Sequence, residues 1–141
     1  MTEMTEDKLT ELVIGCAYKI HNALGSGFLE KIYRKSLAIE IAKNGLKVEQ
    51  ESPIEVMYDE QVVGEFYADL LIENRLIIEI KAVQNFLREH EVQLVNYLTA
   101  TGIDAGLLLN FGASVQVKRK YRTFKAKQIN PVHLVNPVKF S

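Results

Sequence analysis

Three of the charged residues in the largely apolar run GEFYADLLIENRLIIEIKAV, at 64–83, could carry out chemistry together. They are Asp69, Glu79 and Lys81. Two carboxylates can hold a hard cation such as Mg²⁺ or Mn²⁺, and an adjacent amine can orient water or stabilise a phosphate oxygen. The residue types therefore indicate metal-assisted hydrolysis, if the chain brings the three side chains together.

The alternating apolar residues on either side of Asn74 predict a hairpin with a three-residue loop. In that register Asp69 stands opposite Glu79, and Lys81 shares their face of the sheet. Facing carboxylates repel each other unless a cation or a shared proton lies between them, and the carbonyl of Ile80 is a candidate third ligand. A loop of two or four residues would separate the acids onto opposite faces.

A simpler interpretation of the same residues stays open. Lys81 could neutralise Glu79 in a salt-bridged patch on a solvent-facing sheet. That alternative requires no metal and no chemistry.

The hydrophobic periodicity predicts the element order α, α, β, β, β, α, β, β. The first helix is predicted over 5–24 with Thr5 as its N-cap, the second over 28–44 and the third from 86 to the glycine at 102. The predicted strands are 46–56, 62–72 and 75–83, which pair antiparallel, then a central strand at 103–111 and a last strand at 115–124. The tail from Lys125 has no assignment.

The length of 141 residues and the 48% hydrophobic content indicate one domain of ordinary globular composition over 1–141. Without a long apolar run or an apolar leader, we expect a cytoplasmic protein with no membrane partner. The single cysteine, Cys16, falls on the apolar face of the first helix and is expected in the core.

Basic residues concentrate near the end of the chain, in VKRKYRTFKAKQ at 117–128. Lys118, Arg119, Lys120 and Arg122 are the candidate contacts to a nucleic-acid backbone. An edge strand protected by solvated lysines would have the same composition.

The ordered motifs resemble a known family. The segment GFLEKIY at 27–33 matches the signature of the GxxExxY proteins of the PD-(D/E)XK nuclease superfamily, and D…EIK at 69–81 resembles that superfamily's core. HEVQLVNYL at 90–98 and GLLLNFG at 106–112 extend the match to about 18–122. Ala68 stands where the superfamily's name has proline.

This resemblance implies an α+β, restriction-endonuclease-like core in the order αβββαβ: a central mixed sheet flanked by helices, with an extra N-terminal helix. It implies that Asp69 and Glu79 bind Mg²⁺ or Mn²⁺, and that Lys81 is the catalytic lysine. Glu30 corresponds to the family's helical acid and Gln93 to its helical glutamine.

Four further residues accompany these motifs as supporting candidates: Tyr33, Tyr97, His21 and His90. Taken alone, each is more typical of packing, and a carboxylate such as Glu30 is favoured at a helix start whether or not a metal is present.

The leading hypothesis is a divalent-metal-dependent nuclease that acts on DNA, with RNA as the second choice. Two alternatives remain: a nuclease-fold module without activity that binds nucleic acid or a protein partner, and a homodimeric scaffold with a structural charged face.

Overall fold

The computed structural model describes residues 4–122, which form three helices and one five-stranded sheet. In chain order the elements are α1 Glu6–Leu24, α2 Glu30–Ala42, β1 Val48–Tyr58, β2 Gln61–Ile72, β3 Leu76–Lys81, α3 Arg88–Thr101, β4 Ala105–Phe111 and β5 Val115–Tyr121. The predicted order of elements is confirmed. The unassigned tail lies outside the described residues.

The sheet is mixed. Its strand order is β1-β2-β3-β4-β5, with β3 and β4 parallel and every other neighbouring pair antiparallel. The crossover from β3 to β4 contains α3, as a parallel connection requires. The antiparallel β1–β3 meander matches the sequence-based prediction, and β5 lies at an edge of the sheet, as in the alternative interpretation of the basic segment.

Helices cover both faces of the sheet, so the α+β sandwich expected from the resemblance is confirmed. The apolar faces of α1 and α2 pack with Leu70, Ile78 and Ile80 in one buried cluster. On the other face α3 packs with Ile54 and Ile77 in a second cluster. Strand β4 is buried along its whole length, which explains its continuous apolar sequence.

Two predicted helix boundaries were wrong by about one half-turn. α2 begins at Glu30 rather than residue 28, because Gly27 has a φ of 104° and Leu29 is extended. α3 begins at Arg88 rather than residue 86, with extended Leu87 as its N-cap. Both helices therefore start directly after an exposed leucine.

Helix ends follow the predicted chemistry. Thr5 Oγ1 accepts a hydrogen bond from the amide of Lys8 at 3.2 Å. Gly45 and Gly102 have φ values of 80° and 77°, the left-handed conformation that a side chain would strain. Cys16 is buried in the core, as expected.

None of the helices within residues 4–122 is long and apolar enough to span a membrane.

Candidate active site

The predicted hairpin register is present. Ile72 pairs with Leu76 and Leu71 with Ile77 around a loop in which Asn74 has a φ of 56°. The register brings Asp69 and Glu79 together across β2 and β3. A loop of three residues therefore decides which side chains meet.

The two acids do not extend the backbone ladder, which ends at the Leu70–Ile78 pair. Instead, the amide of Asp69 donates a hydrogen bond to Glu79 Oε2 at 2.9 Å. The amide of Ile80 donates to Asp69 Oδ2 at 2.7 Å. Each carboxylate thus takes the place of a backbone acceptor on the neighbouring strand.

The pairing of β2 with β1 is also interrupted at this point. Gln50 pairs with Leu70 and Ser52 with Ala68, and the intervening Glu51 has a φ of 51°. Asp69 therefore lies outside the regular ladder on both of its sides. This local break leaves the Asp69 side chain available to the site.

Burial dominates the electrostatics of the acid pair. Desolvation is the largest cause that raises the pKa of Glu79 to about 8, and the charge of Asp69 is the second. Desolvation also raises the pKa of Asp69, against the hydrogen bond from Ile80. The carboxyl pair is therefore costly to ionise fully in the absence of a cation.

Three charged side chains from other positions act on this pair. The charge of Glu30 raises the pKa values of both acids, and the charge of Lys81 lowers them. Arg34 also lowers the pKa of Asp69. Glu30 is exposed in the first turn of α2, one turn before Arg34. The sequence analysis missed Arg34, although its i+4 spacing from Glu30 places both on one helical face.

The salt-bridge alternative does not fit this arrangement. Glu79 is only 5% exposed, so the charged face is not solvated. Among residues 4–122, no ion pair within 4.0 Å joins Lys81 to an acid. The lysine lies near the pair without neutralising it by direct contact.

The donor set suits a hard divalent cation. Within the described chain no three His, Cys, Asp or Glu side chains converge as a ready metal cluster. Mg²⁺, however, commonly uses one or two carboxylates together with water and substrate oxygens. Asp69 Oδ1 and Glu79 Oε1 accept no hydrogen bond from a described residue, which leaves one oxygen of each acid for such a role.

The GFLEKIY segment is organised by Tyr33. Its hydroxyl donates to the carbonyl of Gly25 at 2.6 Å and accepts from the amide of Phe28 at 3.3 Å. The buried ring stacks on Phe111 with a centroid distance of 4.6 Å. Tyr33 thereby fixes the loop that leads into Glu30, which makes it a positioning residue for the start of α2.

The two predicted histidines have structural partners. His21 Nε2 donates to the carbonyl of Gly112 at 2.9 Å, and the ring stacks on Phe111. His90 Nδ1 accepts from the amide of Leu87 at 3.1 Å and so caps α3. Their contacts are those of packing and capping.

The end of β3 is secured by Asn110, which is fully buried. Its side chain accepts from the amide of Val83 and donates to that residue's carbonyl, both at 2.8 Å, and donates to Gln116. This amide clamp fixes the chain two residues beyond Lys81.

On α3, Gln93 and Tyr97 both line a groove between the helix and the β1–β2 hairpin. Burial and the charges of Glu79 and Asp69 raise the pKa of Tyr97 to about 12. Tyr97 therefore lies close to the acid pair, whereas Gln93 has no hydrogen bond to a described residue.

The predicted basic contacts divide between the two faces of β5. Lys118 pairs with Leu108, which belongs to the cluster under α3. Lys120 is paired with Glu91 of α3 at 2.6 Å. Arg119 lies between these two lysines on the strand, so its side chain points to the opposite face of the sheet.

Arg122, at the end of the described chain, bonds to Asp104 at 2.6 Å. The four basic residues therefore do not act as one patch. Residues 123–128 of the predicted basic segment lie outside the described part of the chain.

Comparison with known proteins places this geometry in a family. A family model described as the PD-(D/E)XK nuclease superfamily matches residues 7–124. The chain belongs to the PD-(D/E)XK nuclease superfamily. The superfamily resemblance is thus confirmed, and membership of its GxxExxY branch stays a prediction.

Solved structures share the fold of this superfamily member. One, "Crystal structure of SSO0001", has a TM-score of 0.55 at 21% identity and covers 96% of this chain and 68% of its own. Another, an alkaline exonuclease (LHK-Exo) from Laribacter hongkongensis, has a TM-score of 0.51 at 12% identity and covers 99% of this chain and 81% of its own. A comparison with curated protein sequences finds no match.

Proposed function

We propose that this member of the nuclease superfamily hydrolyses phosphodiester bonds in DNA with the help of Mg²⁺ or Mn²⁺. The observation that carries the proposal is the Asp69–Glu79 pair. The amide of Asp69 bonds to the buried Glu79 carboxylate at 2.9 Å, Asp69 is half-buried, and Lys81 is close enough to lower the pKa values of both acids. Membership of the superfamily supports nuclease chemistry at this pair.

Asp69 and Glu79 would hold the cation, with the Ile80 carbonyl as a further ligand and Glu30 as a direct or water-mediated one. A cation bound there would stabilise the negative charge that develops on the scissile phosphate. The donor set fits because both acids present one oxygen without a described partner, and because a cation offsets the repulsion that raises their pKa values.

Lys81 would position the attacking water. Its ammonium lies near the acids but makes no ion pair with a described residue, so it can donate hydrogen bonds to water or to a phosphate oxygen. Gln93, on the groove wall of α3, would orient the lysine, the water or the substrate. The apolar cluster beneath β3 holds Lys81 in register for this role.

The test is cleavage of end-labelled single- and double-stranded DNA and RNA by purified protein in Mn²⁺, Mg²⁺ or EDTA. We expect cleavage only with a metal, and a rate about 10²–10³-fold lower for Lys81→Ala, the size seen when one preorganised donor is removed. Lys35→Ala, which removes an exposed lysine on α2, should stay within about twofold of the parent.

Two results would overturn the proposed nuclease activity. One is no cleavage of any substrate with either metal; intact strand binding would then favour the non-catalytic nucleic-acid-binding module. The other is a full rate in Lys81→Ala, which would assign the cleavage to another site or to a contaminant.

A further inference from the structure

A groove on the α3 face of the sheet has an exposed aromatic wall. It lies between the β1–β2 hairpin and α3 and has a volume of about 710 Å³. Phe66 of β2 forms part of its wall and is 43% exposed, and Val63 and Val92 expose 60% and 47% of their surfaces. The volume falls within the ~300–1,000 Å³ range of small-molecule pockets, which accommodates a nucleotide.

Neighbouring residues support the Phe66 ring and leave one side of it open to the groove. Tyr97 supports the ring from α3, with centroids 5.6 Å apart and the planes inclined by 41°. Gly64 leaves the space beside it: a Cβ there would lie 3.3 Å from Cε2 of Phe66. A larger residue at 64 would crowd the ring, so the glycine contributes to an open aromatic face.

Tyr97 links this groove to the proposed catalytic centre. Its ring contacts Phe66, and burial together with the charges of Glu79 and Asp69 raises the pKa of its hydroxyl. A molecule that stacks on Phe66 would therefore lie close to Tyr97, the groove residue whose hydroxyl is near the acid pair. Asp69, Glu79 and Lys81 are not among the residues that line the groove, so Tyr97 is its connection to the proposed centre.

Positive charge borders the outer end of the groove. An adjoining depression shares Arg88 and Asn96 with it and extends to Lys120. The pKa of Glu91, on the same surface, is lowered by Lys120 first and then by Lys118 and Arg88. Three cations therefore lie near Glu91. With Glu89, which also lines the groove, this surface has three basic and two acidic side chains, a net positive balance that suits phosphates.

We propose that this groove binds an unpaired nucleobase, stacked on Phe66, while the phosphates of the same strand contact Arg88, Lys118 and Lys120. The substrate class would then be a single strand or an unpaired end of DNA or RNA. In a duplex the base faces are covered by their neighbours, whereas an unpaired base presents a π-face that an exposed aromatic can stack on. This inference rests on the nuclease function proposed above and identifies its substrate.

The test measures binding rather than cleavage. All proteins carry Lys81→Ala so that strands stay intact, and anisotropy is recorded with a labelled 20-mer of thymidine, the matching uridine 20-mer, a 20-mer backbone without bases, and a blunt duplex. We expect the thymidine or uridine strand to bind more tightly than the duplex. Phe66→Ala should weaken that binding about 5- to 150-fold, the range for loss of one base–aromatic stack.

Tyr67→Ala is the matched control. Tyr67 is the next residue on β2, is 58% exposed, and points to the opposite face of the sheet. Its removal should change binding less than about twofold. Phe66→Leu guards against a folding defect, because leucine retains apolar volume but cannot stack; it should weaken binding as the alanine variant does.

Three outcomes overturn the stacking site: equal losses in Phe66→Ala and Tyr67→Ala, duplex binding as tight as single-strand binding, or the same Phe66 dependence with the base-free backbone. If none of the proteins binds any of the strands, the stacking site is also overturned, and a protein partner becomes the favoured occupant of the groove. Phe66-dependent binding without any cleavage would remove the nuclease proposal and keep the stacking site. Cleavage together with binding that does not depend on Phe66 would remove the stacking site and keep the nuclease proposal.

Discussion

The backbone amide of Asp69 donates to the carboxylate of Glu79 across 2.9 Å, while Asp69 itself accepts from the next residue of the opposite strand. Two acids that would repel across an ordinary ladder are therefore each anchored by a backbone amide. The anchoring holds the pair in place without a cation, but it does not remove the cost of ionising the buried Glu79 beside the half-buried Asp69. This balance determines how the protein should respond to pH and to metal.

The metal-free protein should lose stability as pH rises from about 5 to about 8. Burial raises the pKa of Glu79 from 4.5 to about 8, so between these values the folded state holds a proton that the unfolded state has released. The stabilisation that comes from protonated Glu79 is therefore complete below the pKa of the unfolded state, and it is lost as the pH rises through the pKa of the folded state. Urea unfolding of the EDTA-treated protein at several pH values measures this directly.

Glu79→Gln should abolish most of that slope, because an amide cannot ionise. At pH 8.5 the variant should be more stable than the parent by about 1–4 kcal/mol. Glu11→Gln, an exposed position on α1, serves as control and should retain the parental slope. Parallel pH curves for parent and Glu79→Gln would show that Glu79 is ionised throughout.

Mn²⁺ should raise the melting temperature of the parent, and more strongly at pH 8.5 than at pH 6. Binding only to the folded state adds about 2.7 kcal/mol at a hundredfold excess over Kd, and a protonated Glu79 must lose its proton before it can bind the ion. Scanning calorimetry with Mn²⁺, against NaCl of equal ionic strength, measures the shift.

Asp69→Asn and Glu79→Gln should both lack this Mn²⁺ shift. These variants retain an acceptor oxygen, so the amides of Ile80 and Asp69 keep a partner and the fold is preserved. An undiminished shift in both would place the metal elsewhere.

Tyr33→Phe should destabilise the loop before Glu30 while sparing the core. The variant retains the ring stacked on Phe111 but loses the hydroxyl's bonds to Gly25 and Phe28. We expect a loss of about 1–2 kcal/mol. Hydrogen exchange should show faster exchange at the Phe28 amide.

Tyr18→Phe is the control for this substitution, because Tyr18 is 47% exposed on α1. Unchanged exchange at Phe28 in Tyr33→Phe would show that the loop is held by other contacts. If Glu30 contributes to cleavage, Tyr33→Phe should also lower the rate, and Tyr18→Phe should not.

Local patterns in the sequence were sufficient for the elements and for the hairpin register. The two-residue strand period and the polar loop at Asn74 place Asp69 and Glu79 together, because the side chains that pack into the core cannot change face. Helix ends were less exact: the sequence around Phe28 is apolar and helix-compatible, but the positive φ of Gly27 delays α2 to Glu30.

The sequence by itself determined the order of elements and the acids that meet, since both depend on periodicity and on contacts close in sequence. The superfamily followed from the resemblance of its ordered motifs to a known family. Only the tertiary structure decided the rest. That both acids bond backbone amides, that Arg34 lowers the pKa of Asp69, and that Phe66 and Tyr97 frame a groove are relations between residues on different elements. Such relations arise from how helices pack on a sheet, and no local pattern encodes the distances involved.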